Sequence, residues 1–141
     1  MNKSFTYLAI AVFGLLTACS KKEVVPTNIT NLSATLDGSQ QVPANSSTAS
    51  GGFFGTYDGN SKILTYTVTY RGITPTAGHI HTGAPGMSGP ISITFSGLTS
   101  PITGTAYLSL DQINDLLNNH MYVNIHSSAF PNGEIRGDIH K

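Results

Sequence analysis

The sequence predicts an all-β domain, an antiparallel β-sandwich or partly closed barrel of about seven to eight strands with one short helix. Three observations lead there. Apolar and polar residues alternate with period two in a series of short segments bounded by turn residues. The composition, with 15 Gly, 7 Pro and no Trp, suits a loop-rich β chain. A single segment departs from that period toward helical spacing.

Asn31 to Leu36 alternates and stops at Asp37-Gly38. Gly52 to Tyr57 runs into Asp58-Gly59-Asn60, a hairpin turn whose residues tolerate positive φ. Ile63 to Tyr70 is the most regular strand, with Leu64, Tyr66, Val68 and Tyr70 on one face and Ile63, Thr65, Thr67 and Thr69 on the other. Ile91, Ile93 and Phe95 alternate with Ser92, Thr94 and Ser96, and Pro101 to Leu108 follows. Ser109-Leu110-Asp111-Gln112 then resembles a capping box, in which a serine caps the helix and a glutamine three residues on caps in return. Leu110, Ile113, Leu116 and Leu117 share one helical face, and Asn118-Asn119 suit a left-handed stop. This helix is expected over one open end or edge of the sheet.

Met121 to Ser127 and Glu134 to His140 are the last strands, joined by the turn Phe130-Pro131-Asn132-Gly133. Val123 and Ile125 point one way; Tyr122, Asn124 and His126 point the other. A regular hairpin sets His126 opposite Glu134, Asn124 opposite Arg136 and Tyr122 opposite Asp138, and a bulge in the turn shifts this register by one.

The N-terminus reads as an address. Lys3 precedes an apolar stretch from Phe5 to Leu16, too short for the ~20 residues of a spanning helix and suited to a secretory signal. Leu16-Thr17-Ala18-Cys19 looks like the lipobox of bacterial lipoproteins. That resemblance implies a signal peptide over 1–18, lipidation (palmitate among the acyl chains) at Cys19, a polar tether over 19–28 and a domain over 29–141. Multiple acyl chains give durable membrane attachment. Ser20 does not resemble an inner-membrane retention signal, which points to the outer membrane of the cell envelope. Cys19 is the only cysteine, so no intramolecular disulfide can form.

Seven Lys+Arg balance seven Asp+Glu, which leaves no electrostatic footprint for nucleic acid. No Gly-x-Ser-x-Gly elbow and no paired acids stand out, so a binding or structural module is expected rather than an enzyme, with an envelope protein or glycan as its ligand. Gly83, Gly86 and Gly89 recur every third residue beside Pro85 and Pro90. Three triplets are too few for a collagen helix, and no Lys-Ser/Thr follows to make a phosphate loop. Tight turns with positive φ are the expected use.

The chemistry-bearing residues are histidines. His79 and His81, if extended, emerge on one face about 7 Å apart at Cα. Two imidazoles so placed can chelate a transition metal, copper or zinc in an oxidising setting, or can hold a Gly-rich turn by bonding backbone carbonyls. His126 is the expected third ligand, and His120 the second candidate for that place. The domain as such requires no cofactor. Glu134 and Asp138 are expected to pair with Arg136, leaving no carboxylate for a metal.

Gly78-His79-Ile80-His81-Thr82-Gly83 with Gly86 and Gly89-Pro90, then Tyr122-Val123-Asn124-Ile125-His126, then Asn132-Gly133-Glu134-Ile135-Arg136-Gly137, resemble the CHRD domain, named from chordin. Leu32 to Leu36, Gln41-Val42-Pro43 and the helix before Tyr122 fit the same pattern, so the likeness spans about residues 30–141. It implies an immunoglobulin-like β fold without established enzymatic activity. It also implies structural roles for Gly83, Asn124, Glu134 and Arg136, with Glu134 and Arg136 locking the last hairpin to the His-bearing loop. A fainter likeness to copper/zinc superoxide dismutase rests on His79 and His81 alone; the further ligands in matching order and the internal disulfide are missing.

Overall fold

The computed structural model of the chain describes residues 27–141. The signal peptide, Cys19 and most of the tether expected from the sequence lie outside the described residues. Eight strands, β1 (Ile29–Asp37), β2 (Ser50–Asp58), β3 (Ile63–Arg71), β4 (Pro75–Thr82), β5 (Ile91–Thr94), β6 (Ile102–Tyr107), β7 (Met121–Ser127) and β8 (Ile135–Asp138), form one antiparallel sheet in the order β5-β4-β7-β8-β1-β2-β3-β6. A helix, α1 (Leu110–Leu117), joins β6 to β7.

The sheet curls into a nearly closed barrel, the second of the two architectures the alternation allows. Its free edges are β5 and β6. The seam between them is covered by side chains rather than by backbone pairing. Phe95, just past β5, lies 5.5 Å from the ring of Tyr66 on β3. The Tyr70 hydroxyl donates to the Leu98 carbonyl, and Gln112 of α1 donates to Ser92 Oγ on β5 at 2.9 Å. Covering an open edge in this way removes a template for aggregation.

Alternation sets the core. Leu32, Ala34 and Leu36 of β1, Phe53 and Tyr57 of β2, and Leu64, Tyr66 and Val68 of β3 all point inward and are buried. Ile80, Val123, Ile125 and Ile135 continue that core beneath β4, β7 and β8, and Leu116 closes it from α1. The predicted capping box forms: Gln112 N–H donates to Ser109 Oγ at 3.2 Å, and Ser109 N–H donates to Gln112 Oε1 at 2.9 Å. Asn119 is left-handed, φ 60°.

Three local expectations need correction. At the β2–β3 turn the left-handed residue is Lys62, φ 59°, beyond Asp58-Gly59-Asn60. In the Gly-rich loop only Gly86 has a positive φ, 75°. Gly89 is required by proximity instead: a Cβ there would lie 1.8 Å from the Thr82 carbonyl oxygen. The last hairpin pairs Tyr122 with Asp138 and Asn124 with Arg136, but the ladder stops at Ile125–Ile135, short of the expected His126–Glu134 pair. Glu134 instead accepts a hydrogen bond from Ser47 Oγ at 2.7 Å.

Candidate metal centre

Strand β4 is what builds the site. It lies between β5 and β7, so both of its edges are hydrogen-bonded. Gly78 and Ile80 face the barrel interior and are buried, which turns His79 and His81 to the outer face. On β7 the inward residues are Val123 and Ile125, which turns Tyr122, Asn124 and His126 to that same outer face. The β4–β7 register sets Ala77 opposite His126, His79 opposite Asn124 and His81 opposite Tyr122. His79 and His126 are therefore diagonal neighbours, within reach of two imidazole rings.

The three histidines come together. One nitrogen from each of His79, His81 and His126 lies within 4.8 Å of the others. His79 Nδ1 is 3.4 Å from His126 Nε2. His81 Nδ1 is 3.0 Å from the Gly89 carbonyl oxygen, and His126 Nδ1 is 2.9 Å from that of Pro131. A carbonyl only accepts, so in both rings Nδ1 carries the proton and donates it. The proton-free lone pair is then on Nε2 in each, the tautomer a metal needs. His81 Nε2 is buried and has no hydrogen-bond partner among the described residues. His120 is exposed and stands outside the cluster.

The surroundings disfavour the charged form of His79 and His81. Burial, then the neighbouring His126 and His81, hold the His79 pKa below its ordinary 6.5. Burial lowers that of His81 as well, opposed by its bond to Gly89 and aided by His126 and Arg136. Behind His81 stands a column: Tyr122 stacks on it at 4.9 Å and 7°, and the Arg136 guanidinium lies 3.6 Å from the centre of the Tyr122 ring. Such a cation held over an aromatic face is attracted to it. Arg136 is buried. It donates from Nε and Nη2 to Asp138 Oδ1, at 3.1 and 2.8 Å, and from Nη1 to the Met87 carbonyl at 3.0 Å.

Arg136 thus holds the loop that follows the His-x-His pair, while Glu134 faces Ser47 in the segment after β1 and does not pair with Arg136. Asn124 accepts from Gln41 Nε2 at 2.7 Å and carries no part of the cluster. Gly83 donates its N–H to the His120 carbonyl at 2.8 Å, closing the base of the loop. The alternative use of these histidines, holding the Gly-rich turn through a backbone carbonyl, is realised at His81 and Gly89, whereas the Pro131 carbonyl that orients His126 has no signal in the sequence. Reading the sequence also misses the anchoring of Gln41 and Ser47, for which the Gln-Val-Pro signal was the only hint.

The family model of the CHRD domain matches residues 32–139. The chain belongs to the CHRD family. Comparison with curated proteins and with solved structures gives no match. Within this CHRD domain, the matched span contains all three histidines together with Asn124, Glu134 and Arg136.

Proposed function

We propose that this chain is a non-enzymatic binding module of the cell envelope, held through lipidated Cys19, and that it takes up a copper or zinc ion at His79, His81 and His126. One observation carries the reading. The buried, unpartnered Nε2 of His81 sits in a cluster where the Pro131 carbonyl likewise fixes His126 with a proton-free Nε2, which faces His79 Nδ1 at 3.4 Å. Burying a polar atom without a partner costs roughly 1–3 kcal/mol, and a cation would satisfy it. Backbone carbonyls that orient ligating imidazoles are the usual outer support of metal sites. The absence of a nucleophile–base pair in the sequence supports binding over catalysis.

Calorimetric titration of the purified, chelator-treated chain with Cu(II) and Zn(II) tests the site. The wild type is expected to bind one ion, and a His79→Ala/His81→Ala variant to give no heat; equal heats from both proteins would remove the site. Attachment is tested separately by palmitate labelling, which Cys19→Ser should abolish.

A further inference from the structure

We propose that the three-histidine centre is selective for monovalent copper, Cu(I), over Zn(II) and Cu(II), with the Arg136–Tyr122 column as a positioning element for that choice. This rests on the metal-binding reading above and specifies its ligand. Imidazole is a borderline donor that accepts both copper and zinc, so selection has to come from geometry and charge.

Geometry disfavours Cu(II). With metal–nitrogen bonds of about 2.0–2.1 Å, trigonal or tetrahedral coordination separates neighbouring ligand atoms by about 3.3–3.5 Å. A square plane with the same bonds brings adjacent ligands to about 2.9 Å. The His79 Nδ1–His126 Nε2 edge is 3.4 Å, a trigonal or tetrahedral length and longer than the square-planar one. The third ligand atom, from His81, lies within 4.8 Å of both. The donor atoms are held where they are: β4 is paired on both sides, and His81 and His126 are tied through Nδ1 to the Gly89 and Pro131 carbonyls. Drawing the donors in to the shorter square-planar edge would work against the Gly89 and Pro131 bonds.

Charge and ligand number then separate the two d10 ions. The cluster consists of three imidazoles and contains no carboxylate. The two acids of the last hairpin are committed elsewhere, Asp138 to Arg136 and Glu134 to Ser47. A divalent ion would therefore bring two uncompensated charges beside a buried guanidinium, and a monovalent ion half as many. Zinc favours four ligands, whereas Cu(I) is satisfied by three.

The test is competition between the full chain and chromophoric chelators at neutral pH, anaerobically with bicinchoninate for Cu(I), and in parallel for Zn(II) and Cu(II). Cu(I) is expected to bind at least about 100-fold more tightly than Zn(II) and to exceed Cu(II). Arg136→Gln should narrow the Cu(I)/Zn(II) ratio by roughly tenfold, because the repelling charge is gone. Asp138→Asn, which strips the guanidinium of its counter-charge, should widen that ratio, and it provides the second measurement if the first variant does not fold. Zn(II) or Cu(II) binding as tightly as Cu(I) would overturn the selectivity while leaving the metal site intact. So would a ratio unmoved by both variants. Failure of all three ions to bind would sink the site itself.

Discussion

At the scale of single residues, His81 is asked for two things at once. Its Nδ1–H is spent on Gly89, and its Nε2 is left buried without a partner, so the metal-free domain carries a cost that the ion relieves. His81→Phe keeps a flat ring against Tyr122 and removes both nitrogens. We expect the metal-free stability of that variant to stay within about 1 kcal/mol of wild type or to rise, with metal binding lost. Paired urea melts and titrations check it. The titration of the pair gives a second expectation. His79 and His81 both have native pKa values below the ordinary 6.5, so below that pH the unfolded chain binds more protons than the native one. Stability of the metal-free chain should be flat above about pH 7 and should fall as the pH drops through 6.5 toward the lower native values. Urea midpoints between about pH 8 and pH 5 measure this, and His79→Gln/His81→Gln should flatten the profile. The residue types at the centre were legible from the sequence, because His-x-His on an extended segment puts both rings on one side. Their meeting with His126 was inferred only from strand order, since nothing local links positions 47 residues apart.

At the scale of elements, a signal contained in one element's own residues is legible in the sequence, and one shared between elements is not. Helix α1 follows from a capping box and an apolar face that lie within its own residues, and its bounds match expectation. Ser109→Ala should cost about 1 kcal/mol, read as a shift in the thermal midpoint, without touching the histidines. Strand β4 was harder to see. Gly78 and the half-buried Pro75 and Ala77 blur its alternation, and one of its outward residues, His81, is itself covered by Tyr122 and the Gly-rich loop. That loop is tied down by the Arg136 bond to Met87 and by Thr82 N–H donating to the Pro90 carbonyl at 3.0 Å. Gly89→Ala places a methyl carbon where the Thr82 carbonyl oxygen stands, so the loop must shift and release His81 Nδ1. The expected result is a metal affinity lower by at least tenfold with the far-ultraviolet circular dichroism of the barrel retained.

At the scale of the whole molecule, the ion would bind only where β4 and β7 are already paired, so it stabilises the native barrel by mass action. At a free metal concentration 100 times Kd the gain is about 2.7 kcal/mol, and the thermal midpoint should rise on loading in the wild type and stay put in a His79→Ala/His81→Ala/His126→Ala variant. The strand order has a further consequence, one of timing. Strand β1 sits between β2 and β8, with Asp37 paired to Arg136 and Ser33 exchanging both backbone hydrogen bonds with His140. The first strand made is thus flanked by the last, and its pairing on that side cannot begin until nearly the whole chain has emerged. Contacts this distant in sequence slow folding, because long loops must close before the partners meet. Until β8 arrives the outer edge of β1 stays unpaired, so the same topology that completes the barrel leaves the newly made chain open to edge-to-edge association for as long as its last strand is missing.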